Sequence, residues 1–114
     1  MKILNRGFIL VIPKTNFIKE VMSHAQSKNV LTPNSSEPSV YLIEEDFWDD
    51  EVILKKYHKK IISAELRQIE QEKNIHVEHI NFENFHEYFE VNMGNLVFDL
   101  EDRSIERLTD DVSD

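Results

Sequence analysis

The sequence predicts a small two-layer sandwich of the α+β or α/β class, with about three strands and two or three helices in the order β-α-β-α-α-β. Three observations lead to this class. An apolar run, Phe8–Ile12, is closed by Pro13, two later stretches repeat apolar residues at helical spacing, and apolar residues alternate with others around Phe98. At 114 residues the chain is expected to form one domain, 1–114, that buries about two thirds of the surface of the unfolded chain.

The first third of the chain predicts a strand, a helix and a loop. Phe8–Ile12 is apolar at every position, so we expect a strand over about 5–13 that is covered on both sides or near its ends. Thr15 is suited to a helix N-cap, and a helix is predicted over about 16–27. Its apolar residues recur at helical spacing: Phe17, Ile18, Val21, Met22 and Ala25. Segment 28–39 has two prolines and no periodicity, which predicts a loop.

The middle of the chain predicts a second strand that leads into a long helix. Val40–Ile43 is a short apolar run, and Asp49 and Asp50 follow it where carboxylates favour the positive end of a helix dipole. The helix is expected over about 50–72. Its inner stripe is expected to contain Ile53 or Leu54, Tyr57, Ile61, Ala64 or Glu65, and Ile69.

The last third predicts an aromatic helix followed by a third strand. Asn81 is suited to cap a helix that carries its aromatic residues on one side: Phe82, Phe85, Tyr88 and Phe89. Alternating residues within Val91–Leu100 predict the strand. Residues 101–114 are expected to form an acidic, loosely ordered C-terminal tail.

The charge distribution favours basic partners and argues against nucleic acid. The chain has 22 Asp and Glu residues against 13 Lys and Arg, a net charge of -9, with the acid concentrated in 44–51 and 99–114. Such runs repel nucleic acid and anionic membranes, and attract basic proteins or cations. The one basic cluster, residues 55–60, lies in a chain that lacks the basic footprint of a nucleic-acid-binding domain.

Composition makes several other classes of protein improbable. The chain has no cysteine, which argues against disulfides, thiolate nucleophiles and cysteine zinc sites. Its two glycines do not form a phosphate-binding loop. The apolar run near the N-terminus is too short for a secretion signal, and no run approaches the roughly 20 residues of a membrane span. A soluble cytoplasmic protein is therefore expected.

Four segments together resemble a family of short bacterial α/β proteins that have no assigned activity. The matching segments are Val11–Lys14 with Phe17 just beyond, Val40–Ile43 followed by acid and a long helix, Phe85–Phe89, and Val97–Leu100. The chain departs from the family pattern at Glu44, where proline is frequent, and at Tyr88, where tryptophan is frequent. The resemblance implies a fold and no chemistry.

The acidic run 44–51 contains the first candidate binding site. Trp48, beside Asp49, Asp50 and Glu51, would make an anchor for a basic or aromatic partner if its ring is exposed. The alternative, which the sequence favours slightly, is that Trp48 packs beneath the first loop.

Asp99 is the second candidate, because a carboxylate inside an apolar strand is costly to bury unless it is paired or protonated. It would be a ligand anchor if its strand face lines a cleft. The favoured alternative is a position at the end of the sheet, where Asp99 accepts backbone N–H bonds or pairs with Arg103.

No metal site, cofactor or set of catalytic residues is predicted. His76, His79 and His86 with Glu78 include an HxxH spacing, but that spacing is a weak signal in a connecting segment.

Three functions are compatible with these patterns. The first is a non-enzymatic module that binds another protein, possibly basic, through residues 44–51 with or without the acidic tail 101–114. The second is an acidic mimic of nucleic acid that inhibits a DNA-binding protein, which requires a salt-sensitive complex. The third is a domain that binds a small molecule near Asp99 and His86. The oligomeric state does not follow from the sequence.

Overall fold

The computed structural model describes residues 1–24, 37–69 and 79–108, which adopt a small α+β fold. The elements are β1 (Lys2–Ile3), β2 (Gly7–Pro13), α1 (Thr15–His24), β3 (Ser39–Ile43), α2 (Asp50–Ile69), α3 (Phe85–Tyr88), β4 (Phe89–Gly94) and β5 (Phe98–Asp99). The predicted fold class is confirmed, but the described residues contain five strands in two antiparallel sheets instead of about three strands in one sheet. None of the described helices is long and apolar enough to cross a membrane.

The main sheet has three antiparallel strands in the order β3-β2-β4, with β2 at the centre. Leu10 of β2 pairs with Val40 on one side and with Asn92 on the other. The second sheet, β1 with β5, continues the β2–β4 pairing beyond an irregular segment. Ile3 pairs with Phe98, and Phe8 pairs with Gly94. The chain therefore advances five residues from Ile3 to Phe8 but only four from Gly94 to Phe98, so the β1–β2 side has one extra residue. That mismatch is a β-bulge, which bends the ribbon between the two sheets.

The hydrophobic core lies on one face of the main sheet. Alternate residues of β2, including Ile9 and Val11, are fully buried against the helices. The helices contribute Phe17 and Val21 from α1, Ile53, Leu54, Ile61 and Ile62 from α2, and Phe85 from α3. Phe89 joins this layer, with ring centroids 4.5 Å from Phe17 and 4.8 Å from Phe85. Burial of each such side chain contributes about 1.5–3 kcal/mol to folding.

The first strand was predicted to be covered on both sides or near its ends, and the described residues cover one face of β2. The other face of β2 carries Phe8, Leu10 and Ile12, which are half-buried and do not pack against the core cluster. The described helices all pack on one face of this antiparallel sheet. The second apolar face of β2 is therefore not covered by any described element.

The predicted aromatic helix is also wrong in length. Asn81 and Asn84 form a turn in which each backbone N–H donates to the other side chain, at 2.7 and 3.0 Å, and residues 82–84 belong to this turn and not to a helix. Only the four residues of α3 are helical, and Phe89 is already extended, with φ -136° and ψ 138°. The predicted third strand is divided as well, because β4 ends at Gly94 and β5 begins at Phe98.

Other predicted boundaries agree with the structure where it describes them. The second strand and the long helix begin at Ser39 and Asp50. The predicted loop 28–39 therefore gives its last residue to β3, and 28–36 lies outside the described residues. The end of the predicted helix at 70–72 and the tail beyond 108 lie outside them as well.

Candidate functional site: the Trp48 turn

Residues 44–51, named here the Trp48 turn, connect the end of β3 to the start of α2. The chain reverses at Asp46, whose φ of 58° places it in the left-handed region. Aspartate tolerates this region better than most residues that carry a side chain. The turn is therefore a specific backbone conformation that its own sequence accommodates.

Contacts with the β2–β4 side of the sheet fix the middle of the turn. The backbone N–H of Phe47 donates to Asn95 Oδ1 at 3.3 Å, and Asn95 Nδ2 donates to the Phe47 carbonyl at 3.0 Å. The half-buried Phe47 ring packs against the core, and a Cβ on Gly7 would lie 2.9 Å from its Cε1 atom. Glycine at position 7 therefore leaves the space into which the Phe47 ring fits.

Asp49 fixes the end of the turn by capping α2. Its Oδ1 atom accepts the backbone N–H groups of Glu51 at 3.0 Å and of Val52 at 3.4 Å. These donors belong to the first turn of the helix and have no partner within it. Asp49, which the sequence assigned to a binding site, thus has a structural role in this turn.

Trp48 lies between these two fixed points and is 97% exposed. No described residue covers this ring, and residues 28–36 of the first loop, beneath which the sequence-based alternative places it, lie outside the described residues. The neighbouring carboxylates are also exposed: Glu45, Asp46, Asp50 and Glu51. Among the described residues, no side-chain hydrogen bond or ion pair involves these four carboxylates. The turn thus presents an indole ring among unpaired negative charges.

Glu44 differs from the other acids of the turn because it is paired. Its Oε1 atom accepts from Lys56 Nζ at 2.7 Å and from the Tyr57 hydroxyl at 3.1 Å. A hydrogen bond from Lys56, which has the larger effect, and one from Tyr57 hold the pKa of the Glu44 carboxyl below its ordinary value. One lysine of the predicted basic cluster is therefore directed at the acidic run itself.

Asp99 lies opposite Lys2 in the β1–β5 sheet. It is half-buried, and its Oδ1 atom accepts the backbone N–H of Glu101 at 2.9 Å. Arg103 contacts Glu101 at 3.4 Å, and no described contact joins it to Asp99. Asp99 thus accepts a backbone N–H at the end of a sheet, as the favoured alternative requires, and it also lines an open cavity of about 400 Å³ together with Arg103 and other residues of 101–108.

The structure does not bring Asp99 and His86 together. The backbone carbonyl of His86 accepts from Lys14 Nζ at 2.6 Å, next to the Pro13 end of β2. Asp99 lies at the opposite end of the same ribbon, opposite Lys2. The mostly extended chain advances eleven residue steps from Lys2 to Pro13, which puts the two ends on the order of 30 Å apart. A shared pocket for a small molecule is therefore not assembled from this pair.

The histidine cluster is not assembled among the described residues either. His79 Nε2 lies 2.8 Å from Glu20 Oε2, and His86 is exposed on α3. His76 and Glu78 lie outside the described residues. Residues 1–24, 37–69 and 79–108 contain no group of three or more His, Asp or Glu placed to hold a metal ion.

A buried carboxyl between α2 and β3 was not identified as a candidate site from the sequence. Glu65 is 1% exposed, and the Tyr41 hydroxyl donates to its Oε2 atom. Gln68 Nε2 lies 3.4 Å from the same oxygen, and Ser39 donates to Gln68 at 3.0 Å. Burial raises the pKa of the Glu65 carboxyl above its ordinary value. The available signal was the position of Glu65 four residues after Ile61, on the predicted inner stripe of α2.

Comparison of the chain with protein-family models, with curated proteins and with solved structures finds no match. The resemblance to a family of short bacterial proteins therefore stays a prediction.

Proposed function

We propose that this chain is a non-enzymatic interaction domain that binds a basic protein through the Trp48 turn. The observation that carries the proposal is the 97% exposure of Trp48 on a turn whose backbone is fixed on both sides of the ring. Full exposure of a large apolar ring costs free energy that a partner recovers when it covers the ring.

The fixed backbone supports a binding role because it lowers the entropy cost of association. Asn95 holds Phe47, and Asp49 caps α2, so the ring stands between two anchored residues. A partner therefore meets a turn that is already ordered, which conserves binding free energy. Tryptophan is also among the residues that contribute most to measured binding at protein interfaces.

The charge around the ring supports a basic partner. Glu45, Asp46, Asp50 and Glu51 are exposed and are not compensated by a described cation. Unpaired carboxylates of one sign raise the association rate of a basic protein and disfavour acidic ones. The expected contact has an apolar centre, where the indole ring is covered, and a rim of salt-sensitive ion pairs.

The first prediction is that Trp48→Ala abolishes capture of a discrete basic protein from a lysate of the cells that produce this chain. The partner is identified by mass after capture at moderate salt, and its affinity is then measured with purified components. Removal of a central tryptophan is expected to weaken binding by about 2 kcal/mol or more, roughly 30-fold. Val52→Ala is the matched control, because Val52 is also exposed and apolar and lies one helical turn away.

Charge is tested separately from the cap of α2. Asp50→Lys changes the charge of the turn while Asp49 keeps its hydrogen bonds to the helix. We expect slower association and a weaker salt dependence in this variant. Equal binding by wild type, Trp48→Ala and Asp50→Lys, all folded by circular dichroism, would refute the proposal.

The same assay separates the proposal from mimicry of nucleic acid. A mimic would release its partner when DNA is added, and would release it progressively as salt rises. A partner that is held through Trp48 and is not displaced by DNA supports the interaction domain.

A further inference from the structure

β2 has an apolar sequence on both faces, but the described helices cover only one. The buried face packs on α1 and α2, while Phe8, Leu10 and Ile12 point to the opposite side. Continuous apolar strands normally occur where both faces of a sheet are covered. The sequence of β2 therefore indicates that its second face is also covered in the functional state.

The neighbouring strands continue this second face. Leu42 pairs with Phe8, and Val40 pairs with Leu10, so these side chains stand in register beside β2. Val40 is 61% exposed and Leu42 is 49% exposed. The outer face is defined here by Phe8, Leu10, Ile12, Val40 and Leu42.

The outer face extends along the ribbon towards β5. Two-residue alternation from Gly94 puts Leu96, Phe98 and Leu100 on the same side, and all three are exposed, while Val97 and Asp99 between them are half-buried. Ile3 pairs with Phe98 and is exposed as well. The apolar surface therefore continues past the bulge onto the second sheet.

The size of this surface approaches that of a stable interface. Its exposed side chains present on the order of 600 Å² of apolar area, against roughly 800 Å² buried per partner in a standard interface. Monomeric proteins rarely expose contiguous apolar patches of more than a few hundred Å².

The charge on this surface points to a second copy of the chain as its occupant. On the main sheet the face has one carboxylate, Glu90 opposite Ile12, and no cation, so nothing there selects a basic partner. Two copies each carry a net charge of -9, and they approach at lowest electrostatic cost where carboxylates are sparse. A face that is mostly apolar, with Glu90 and Asn92 on its β4 side, can also pack against a second copy of itself, as a two-fold contact requires.

We infer that the protein forms a homodimer in which the outer faces of two copies pack against each other. The two main sheets then lie about 10 Å apart and form a sandwich with the helices on the outside. Each copy supplies the second cover that β2 of the other requires. The inference does not depend on the Trp48 turn or on its partner.

The oligomeric state of the purified full chain tests this inference. Sedimentation and light scattering from micromolar to near-millimolar concentration are expected to give twice the chain mass of 13.5 kDa. Leu42→Asp is expected to weaken dimerisation at least tenfold and to restore the monomer mass. Val52→Asp is the matched control, with the same change of charge at an exposed residue of α2, and is expected to dimerise like wild type.

A second variant and the salt dependence complete the test. Leu96→Asp changes a residue that is 69% exposed and lies outside the strands, so this variant is expected to fold. It tests the same surface even if Leu42→Asp does not fold. Added sodium chloride is expected to strengthen the dimer, because it screens the repulsion between like-charged copies. The same salt is expected to weaken the binding of a basic partner to the Trp48 turn. The two proposals therefore predict opposite salt effects and can be refuted independently.

Two results would overturn the inference directly: a wild type that is monomeric at the highest concentration, or folded aspartate variants that dimerise as well as wild type. A third would be a monomeric wild type that binds a different protein, with that binding lost in the aspartate variants. The last result would assign the outer face to a heterologous apolar partner.

Discussion

At the scale of single residues, Glu65 has the environment least suited to its chemistry. A carboxyl that is 1% exposed loses its hydration, and the Tyr41 hydroxyl is the donor that compensates part of that loss. Burial raises the pKa of Glu65 above its ordinary value, and it raises the pKa of the Tyr41 hydroxyl as well. The pair is therefore expected to hold its protons to higher pH than exposed groups of the same type.

This environment predicts a pH-dependent stability that Glu65→Gln removes. The unfolded chain ionises Glu65 near its ordinary pKa of 4.5, whereas the folded chain does so only at higher pH. Its contribution to stability is thus complete below about pH 4.5 and is lost as pH rises from 4.5 through the raised folded pKa. Glu65→Gln cannot ionise, so at neutral pH we expect it to be more stable than wild type, by a margin that grows with the extent to which burial raises the Glu65 pKa.

The measurement is the free energy of unfolding in urea between mildly acidic and neutral pH. The gain from Glu65→Gln should shrink towards zero as the acidic end is reached. Glu83→Gln, at an exposed acid, serves as control and should leave the pH profile unchanged. A Glu65→Gln variant that is less stable than wild type at neutral pH would show that the ionised carboxyl is the stabilising form.

At the scale of elements, α2 shows how one side chain sets a helix boundary. Asp49 accepts two backbone N–H groups of the first turn, while Asp50 and Glu51 add negative charge at the positive end of the helix dipole. Asp49 therefore affects the direction in which the Trp48 turn enters α2. The hydrogen-bonding role and the charge of Asp49 are separable by substitution.

Asp49→Ala is predicted to lower the free energy of unfolding by about 1 kcal/mol, because two N–H groups lose their acceptor. Asp49→Ser is predicted to retain most of the stability, since serine caps helices comparably while it lacks the charge. Urea unfolding of both variants is the measurement. Equal loss in the two variants would indicate that charge, and not the hydrogen bonds, is the contribution of Asp49.

At the scale of the whole molecule, the sequence predicted those features that depend on neighbours along the chain. The fold class and the start of α2 at Asp50 follow from local apolar spacing and from Asp49. The aromatic segment was misassigned because the spacing of Phe82, Phe85 and Phe89 fits a helix as well as a turn followed by a strand. The chain is already extended at Phe89, where it pairs with β2, so the helix ends at Tyr88.

The candidate site was less predictable, because its geometry depends on distant residues. Asn95 holds Phe47 across a separation of 48 residues, and Gly7 makes the space for its ring. Neither contact leaves a local pattern, so the exposure of Trp48 was undecided from the sequence. The uncovered side of β2 was missed for a related reason, since periodicity indicates which strand is apolar but does not show what covers each face.

The net charge of -9 gives a last prediction, which concerns the stability of the whole fold. Unfolding separates like charges, so self-repulsion favours the unfolded chain, and sodium chloride should weaken that effect by screening. Exposed ion pairs such as Lys56 with Glu44 oppose this trend only weakly, because water and salt screen their attraction. We therefore expect the free energy of unfolding to rise by on the order of 1 kcal/mol between low and moderate salt.

Urea unfolding measures this salt effect, and its dependence on protein concentration at each salt separates the contribution of dimerisation, which salt is also expected to strengthen. The double variant Asp50→Asn, Glu51→Gln reduces the negative net charge from -9 to -7 and keeps Asp49 as the cap of α2. Its free energy of unfolding should therefore depend less on salt. A stability that falls with salt would mean that local ion pairs outweigh net repulsion. The acidic surface would then stabilise the fold through specific ion pairs. In that case a charge reversal in the Trp48 turn could weaken binding by destabilising the fold, so the stability of each such variant would have to be measured alongside its affinity.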